Sequence, residues 1–446
     1  MPEFGRNGNT ASGNISVLRR KICVPVSRAR SLPLVQGVCR LWHNQTTGAL
    51  TLLSDNSSRR NFLAAAGLVL PASALAATTG LPAPKPLGAP TSAAKKPSLQ
   101  YRTLGKTGLK VTTMGFGCMV TSDPVVIQQA VESGVNFFDT ARVYQNGNNE
   151  RMVGAALKGK RQGLVLASKT LATTKDAALA HLETSLKELQ TDYLDIWYLH
   201  SKSKPEHITD ELLEAQRIAK QQGKIRFAGI STHVGHRELI PAVIKSGRFD
   251  VLLASYNFTM GHTIDDLLEQ TRAAGIGLVA MKVFAGGYKP ISAVASDPAV
   301  IQRLHREGAM FAALKWAIKN KHVDTTIPSI TDLDQLDEDL RSMASPFTAA
   351  DEKVLSAQLE FLRPRYCRMC NSCDGVCAQG LPVADVLRFL MYAEGYGQFP
   401  MARENFLAMP AELRNVRCGD CLDCTVKCAN GVHVQQRIQR AQELFA

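Results

Sequence analysis

Apolar runs typical of β-strands alternate with amphipathic helical patterns from Leu99 to residue 345. One helical pattern is clear where Leu212, Ala215 and Ala219 keep the i, i+3, i+7 spacing of a single helix face. Strands that alternate with helices favour a parallel sheet with crossover connections. The 247 residues involved are close to the ~250 of a closed eight-stranded barrel. The sequence therefore predicts an α/β fold, an eight-stranded parallel (β/α)8 TIM barrel. Its predicted strands are 111–118, 136–140, 164–170, 193–199, 226–231, 251–257, 277–284 and 325–330.

Composition and charge exclude several other classes. The 446 residues are 45 % hydrophobic and 20 % charged, as in ordinary globular proteins, so disorder, collagen-like and coiled-coil structures are excluded. The net charge of +13 is uneven, because residues 1–76 hold nine Lys or Arg and only two Asp or Glu. The predicted barrel therefore carries no concentrated basic patch, and we expect no nucleic-acid partner.

The N-terminal region contains a string that resembles a twin-arginine export signal. The segment Ser58–Leu63 reads Ser-Arg-Arg-Asn-Phe-Leu, and an uncharged stretch follows that closes on Ala74-Leu75-Ala76. The alternative is that two adjacent arginines precede an Ala-rich helix by chance. The stretch Asn61–Pro84 is too rich in Ala, Gly, Thr and Pro to be a stable membrane anchor. We therefore expect export through the twin-arginine pathway to the periplasm.

Four polar residues fall at or just beyond the C-terminal ends of predicted strands, where parallel α/β barrels carry catalytic groups. They are Asp139, Tyr144, Lys169 and His200. A phenol with its ordinary pKa of about 10 is a weak acid unless a nearby cation stabilises its anion. Lys169 would lower the pKa of Tyr144, Asp139 would hold Lys169 charged, and His200 would orient a carbonyl oxygen. Each residue alone also has a structural interpretation, such as a helix cap or rim packing, but the four together indicate catalysis.

The strings around these residues resemble the signature of the aldo/keto reductases. The string at Asn136–Tyr144, followed by Asn149-Glu150, and the strand at Gly115–Met119 carry the resemblance, which covers residues 99–345. It implies reduction of a carbonyl, or oxidation of an alcohol, on a small-molecule substrate. The family's catalytic tetrad falls on Asp139, Tyr144, Lys169 and His200.

The resemblance also implies a nicotinamide nucleotide, NADP or NAD, across the barrel mouth. The positions that match the family's nucleotide contacts are Ser231, Thr232, Met281, Lys282 and Ser329. The match is weaker elsewhere, because Leu253 stands where the family usually has Gln and Met281 where it often has an aromatic residue.

An acidic segment bears on the choice between the two nucleotides. The family commonly places basic residues that hold a 2′-phosphate where this chain has Ser329–Asp339, which contains five acids and no base. A carboxylate repels a phosphate but accepts a hydrogen bond from a ribose hydroxyl, so the segment disfavours tight NADP binding unless Lys282 reaches in. The alternative is that these acids merely form the first turn of a helix.

Eight cysteines near the C-terminus form two copies of Cys-x2-Cys-x2-Cys-x3-Cys, the spacing that ligates [4Fe–4S] clusters. The resemblance to two-cluster ferredoxins implies that the fourth cysteine of each copy ligates the other cluster. Ala378 and Ala429 replace the usual Pro, and the helix-like segment 383–394 favours a mainly α-helical iron–sulfur domain. Zinc and disulfides are the alternatives. The predicted ligands are Cys367, Cys370, Cys373, Cys377, Cys418, Cys421, Cys424 and Cys428.

These features predict five segments. Residues 1–57 form an unstructured lead-in that a misassigned start would explain, 58–77 a signal peptide, 78–98 a linker, 99–345 the barrel and 346–446 the iron–sulfur domain. The predicted function is an exported aldo/keto-reductase-type oxidoreductase whose clusters relay electrons, with a separate redox partner as a further expectation. The alternative is an electron-carrier or partner-docking protein whose barrel is inactive.

Overall fold

The computed structural model describes residues 98–287 and 308–445, and the predicted signal peptide at 58–77 lies outside them. A small antiparallel hairpin comes first, and eight parallel strands follow in chain order around a sheet. The hairpin strands are β1 (Tyr101–Thr103) and β2 (Lys110–Thr112). The barrel strands are β3 (Phe116–Gly117), β4 (Phe137–Asp139), β5 (Val165–Thr170), β6 (Leu194–Leu199), β7 (Ile225–Thr232), β8 (Val251–Ser255), β9 (Gly277–Met281) and β10 (Thr325–Thr326).

The first and last strands meet, so the sheet is nearly closed. Parallel bridges join Met114 to Thr326 and Gly117 to Ser329. The prediction of an eight-stranded parallel α/β barrel is therefore confirmed, and so is the helical character of the C-terminal region.

The predicted strand at 111–118 was wrong in its extent. Its first part, β2, pairs antiparallel with β1, and only Phe116–Gly117 pairs with the next barrel strand. Burial does not reveal this change of partner, because residues on both sides of the break are buried. The last predicted strand is also shorter, since Pro328 has no N–H to donate to a sheet.

The helices surround the barrel and bury one face each. In α4 (Asp210–Gln221) the side chain of Thr209 accepts a hydrogen bond from the Leu212 N–H, and two acids occupy the first turn, so both the cap and the helix dipole favour a helix start here. The helices around the barrel are α1 (Pro124–Glu132), α2 (Asn148–Ala156), α3 (Lys175–Leu189), α4, α5 (His236–Ser246), α6 (Asp265–Ala273), α7 (Gly308–Lys319) and α8 (Leu333–Ala344).

The interior of the barrel is a packed apolar core, closed at the N-terminal ends of the strands by the hairpin. Leu104 and Val111 of the hairpin segment join the same buried cluster as Phe137, Tyr198 and Leu253 from the strands. Leu253, at the position where a Gln is expected, is thus part of this core and is fully buried.

The C-terminal region is helical and docks on the barrel. A buried ion pair at 2.7 Å joins Lys315 of α7 to Asp351 of α9, and the Asn257 amide donates to the Tyr366 hydroxyl at 3.2 Å. None of the helices in 98–287 and 308–445 combines the length and apolar character that crossing a bilayer requires. The C-terminal helices are α9 (Ala349–Leu362), α10 (Val383–Glu394), α11 (Phe399–Leu407), α12 (Ala411–Arg414) and α13 (Val434–Phe445).

Candidate active site

A buried ion pair lies at the mouth of the barrel. Asp139 ends β4, and Lys169 lies near the end of the neighbouring β5. The Lys169 ammonium donates to an Asp139 oxygen and, at 2.7 Å, to the Thr140 carbonyl, and both side chains are at most 2 % exposed. Burial raises the pKa of Asp139 and lowers that of Lys169. The charge and the hydrogen bond of each partner act against the pKa shift of the other. The pair is held by both strand ends, so its position is fixed by the sheet.

Tyr144 lies next to this pair, at the start of a short helical turn, Tyr144–Gly147. The Lys169 ammonium is 5.0 Å from the centroid of its ring. Burial raises the pKa of Tyr144 well above its ordinary value, and the charge of Asp139 raises it further. A lowering of this pKa by Lys169 does not prevail, because burial and the charge of Asp139 both act in the opposite direction. At neutral pH Tyr144 is therefore a neutral phenol, the form that can donate a proton.

Two histidines extend the site away from Tyr144. The ring of His200 meets that of Tyr144 edge-on at 5.9 Å, and the ring of His233 lies 6.4 Å from His200. Burial lowers the pKa of both histidines well below the ordinary value, and neighbouring cations, among them Lys169, lower it further. Within the described residues, the Nδ1 atom of each is buried without a hydrogen-bond partner. Both rings are neutral at neutral pH.

A cavity of about 290 Å³ opens at this site. Of the residues predicted to contact a nucleotide, Met281, Lys282 and Ser329 line it, as do Asp139 and Tyr144. Lys169 and His200 are not among the lining residues, but both adjoin Tyr144, which is.

The other two predicted nucleotide contacts end β7 and are hydrogen-bonded to the loops after β6 and β7 instead. The Ser231 hydroxyl accepts from the Ser201 N–H at 2.9 Å, and the Thr232 hydroxyl donates to the Val234 carbonyl. Both side chains are buried, and neither lines this cavity.

The acidic segment divides into two parts. Asp332 is the N-cap of α8 and accepts from the Gln335 N–H at 2.8 Å, as the helix-start interpretation implies. Glu338 and Asp339, nearly two turns on, line the cavity instead. Burial raises the pKa of Asp339 well above its ordinary value, and the adjacent charge of Glu338 raises it further. The cavity wall is therefore acidic where a phosphate clamp would be basic.

The C-terminal region supplies side chains that the sequence interpretation missed. The Lys282 ammonium lies 3.5 Å from the Tyr392 hydroxyl and faces the rings of Tyr392 and Tyr396, which are stacked at 5.8 Å. Gly395 packs so closely that an added Cβ would meet the Gly286 carbonyl oxygen at 2.0 Å. The available signal was the four-residue spacing of Arg388 and Tyr392, which places both on one helix face, with Tyr396 just beyond the end of the helix.

The predicted cluster cysteines form two sets. In the first, burial raises the pKa of Cys367 to about 12, and charge repulsion from Cys373, Cys370 and Cys428 adds to it. The Asn430 amide also donates to the Cys370 sulfur at 3.4 Å. These four thiols are therefore close neighbours, although Cys428 is distant in sequence.

The second set mirrors the first. Burial raises the pKa of Cys418 to about 11, and repulsion from Cys377, Cys424 and Cys421 contributes. All eight cysteines are free thiols. In the described part of the chain, no group of three or more His, Cys, Asp or Glu side chains is arranged to hold a single metal ion. The iron–sulfur assignment stays a prediction.

Comparisons with known proteins agree with the barrel. A model of the aldo/keto reductase family matches residues 121–358 and ends before the cysteine motifs. L-galactose dehydrogenase of Arabidopsis thaliana is 26 % identical over 309 residues, which cover 60 % of this chain and 95 % of that protein. A probable voltage-gated potassium channel subunit beta of the same plant is 27 % identical over 288 residues, covering 58 % and 82 %. A solved aldo-keto reductase of Bacillus halodurans, in its holo form, has 25 % identity and a TM-score of 0.51, covering 58 % of this chain and 96 % of that one.

A buried histidine beneath the site predicts a pH dependence of stability. The His236 ring contacts the Ser255 hydroxyl at 3.1 Å, and burial lowers its pKa to about 4. An unfolded histidine has a pKa of about 6.5, so between these values the unfolded chain binds a proton that the folded chain does not. As pH falls from about 6.5 to about 4, this histidine therefore lowers the free energy of unfolding by about 1.4 kcal/mol per pH unit. We expect His236→Gln to reduce that slope in urea unfolding.

The control is Ser255→Ala, which removes the hydrogen bond but keeps the ring. It should retain most of the slope, whereas an unchanged slope in His236→Gln would show that this histidine does not stay neutral in the folded chain.

Proposed function

The chain belongs to the aldo/keto reductase family, and from that premise we propose that it is an NAD(P)-dependent oxidoreductase that acts on a small-molecule carbonyl or alcohol. The observation that carries the proposal is the convergence of a neutral Tyr144, the buried Asp139–Lys169 pair and His200 at one end of the main cavity. These four residues are sufficient for proton transfer without a further residue from the described part of the barrel mouth.

When bound, a nicotinamide nucleotide supplies the hydride. Tyr144 gives its hydroxyl proton to the carbonyl oxygen as negative charge develops there, and the reverse transfer serves alcohol oxidation. The Lys169 ammonium beside the ring stabilises the resulting phenolate, and Asp139 keeps that ammonium in place. His200, neutral because it is buried, orients the oxygen by a hydrogen bond without competing for the proton.

The side chains that line the cavity are suited to contact a nucleotide. Met281 offers an apolar surface, while Lys282 and Ser329 offer polar contacts along the same wall. The acids Glu338 and Asp339 suit a ribose hydroxyl better than a phosphate.

Tyr144→Phe tests the proton donor. Loss of the hydroxyl should lower kcat by about 10² to 10⁴, the range that general acid catalysis supplies. Nucleotide binding, measured by fluorescence titration, should barely change, because the ring remains. Tyr101→Phe, a half-exposed tyrosine of the hairpin, is the control and should keep full activity. Turnover near that of the wild type in Tyr144→Phe would contradict the mechanism.

Nucleotide preference tests the acidic wall. We expect NAD(H) to bind more tightly than NADP(H), or at most slightly less tightly, because Glu338 and Asp339 offer hydrogen-bond partners to a ribose hydroxyl and no cation to a 2′-phosphate. Glu338→Lys should shift the preference toward NADP(H), whereas Asp334→Lys, on the exposed first turn of the same helix, should not. NADPH binding a hundredfold tighter than NADH in the wild type, about 2.7 kcal/mol, would show that this wall does not contact the ribose.

The second part of the proposal is that the two cysteine sets hold [4Fe–4S] clusters. Support comes from the grouping of Cys428 with the first motif and of Cys377 with the second, the exchange that two-cluster ferredoxins use. When bound, such clusters pass single electrons. Cys373 lines a cavity that His233 also lines, so the first set adjoins the catalytic site.

Export to the periplasm completes the proposal. It rests on the string at Ser58–Leu63, which lies outside the described residues. The twin-arginine route carries folded proteins, so nucleotide and clusters would be loaded before export. The rival interpretation, an electron carrier with an inactive barrel, would give purified protein without bound nucleotide.

Cys370→Ser tests the clusters. The anaerobically purified wild type should contain about eight iron and eight sulfide per chain, and the variant should contain about half. Multiple turnover should slow because the nucleotide is not recycled, while a single hydride transfer from pre-reduced nucleotide should keep its rate. Cys118→Ala, which changes a buried thiol outside the motifs, is the control for iron content.

Two results would contradict this assignment. Zinc in the metal analysis would exclude the clusters. Loss of single-turnover chemistry in Cys370→Ser would show that the cysteine region holds the fold together rather than carrying electrons.

A further inference from the structure

A second, smaller cavity of about 160 Å³ lies between the barrel and the C-terminal region. The barrel side consists of the loop 201–204, which follows β6, and of His233 and Val234 after β7. The C-terminal side consists of the first cysteine loop and the start of α10, including Asp385 and Arg388. Most of its lining is polar, in contrast to the apolar interior of the barrel.

Most charges around this cavity are already paired. Lys204 forms an ion pair with Asp374 at 2.8 Å, and Arg388 forms one with Asp385 at 2.8 Å. Lys202 differs, because within the described residues no carboxylate lies within ion-pair distance of its ammonium, and the residue is only 7 % exposed. Burial alone lowers its pKa. The cavity therefore retains one cation without a counter-ion.

Two further polar atoms at this cavity lack partners. The Nδ1 atom of His233 and the Nε atom of Arg388 are buried, and neither has a hydrogen-bond partner among the described residues. Buried polar groups are costly when unpaired. A lysine without a counter-ion, an unpaired guanidinium N–H and an unpaired imidazole nitrogen at one cavity form a set suited to a small anion.

His233 connects this cavity to the catalytic one, since it lines both. The larger cavity contains Tyr144, which would face the reacting carbonyl, and the smaller contains Lys202 and Arg388. A substrate that extended past His233 would have its carbonyl at Tyr144 and its other end at Lys202 and Arg388.

We propose that the smaller cavity binds a carboxylate of the substrate, so that the enzyme acts on oxo acids or hydroxy acids. This inference rests on the proposed function and specifies its substrate class. The Lys202 ammonium and the Arg388 Nε–H donate to the two carboxylate oxygens, and His233 completes the contact as a donor in its Nδ1–H tautomer. A carboxylate suits the site in size and charge, because the cavity is small and the side chains that line it include one cation without a carboxylate partner.

A matched pair of aldehydes tests the proposal. 4-Carboxybenzaldehyde and its methyl ester, methyl 4-formylbenzoate, carry the same reacting group and differ in the anion. In the wild type, the acid should have a KM at least about tenfold below that of the ester. Lys202→Met should raise the KM of the acid by about tenfold to a hundredfold, the range for a hydrogen bond to a charged group, and leave its kcat and the KM of the ester unchanged. Lys202→Arg should retain most of the preference.

Lys204→Met is the control. It removes the same charge from the same loop, but from a half-exposed side chain that is already paired with Asp374, so the KM of the acid should change less than about threefold. An equal effect of both substitutions would indicate that the positive charge of the loop acts at a distance and that Lys202 does not contact the carboxylate. That result would overturn the proposal.

Direct binding separates this inference from the proposed function. Calorimetric titration with 4-(hydroxymethyl)benzoate and its methyl ester requires no turnover. Tight binding of the acid that Lys202→Met abolishes would support the carboxylate site even if no aldehyde were reduced. Equal affinity for acid and ester would overturn it. So would a Lys202→Met protein with unchanged acid affinity but altered iron content, because that result would assign the lysine to the cysteine region.

Discussion

The buried ion pair of Asp139 and Lys169 is the constraint on which the candidate site depends. Two opposite charges inside a barrel are expensive to desolvate, and they persist only where the geometry of their contacts is good. Neighbouring parallel strands provide that geometry, because β4 and β5 end side by side and Thr140 adds a carbonyl acceptor. A neutral phenol and a neutral imidazole can then share the site without either being drawn into a salt bridge. The barrel thus fixes one ion pair, while Tyr144 and His200 beside it stay uncharged.

The C-terminal region changes the character of the barrel mouth. In the barrel alone, Lys282 would be a cation at the end of β9. In the whole chain it faces Tyr392 and Tyr396, and the pKa of Tyr392 is lowered because the charges of Lys282 and Arg388 outweigh the effect of burial. A second pair of phenol and ammonium groups therefore lies close to the first. The helix that supplies it also carries Arg388 toward the two histidines.

The features that could be predicted from the sequence are those set by local patterns, and the features that could not are set by contacts between distant segments. The strands were predictable because burial on both faces leaves continuous apolar runs, and Asp139 and Lys169 were predictable as site candidates because they end such runs. The division of 111–118 between two sheets was not, since these residues are buried throughout and burial does not mark the break. Ser231 and Thr232 were expected to face a ligand, but loop hydrogen bonds hold them. Arg388, Tyr392 and Tyr396 were missed because their place follows from how α10 docks, which no local pattern records.

The contact of Gly395 with Gly286 has a thermodynamic consequence. Gly395 and Tyr396 line the main cavity together with residues of the barrel, so a molecule bound there touches both parts of the chain. Whatever binds only the assembled cavity stabilises the assembly by RT ln(1 + [L]/Kd), where [L] is its free concentration and Kd its dissociation constant. The linkage is reciprocal: loosening the C-terminal region weakens binding in the barrel by the same factor that binding strengthens the docking.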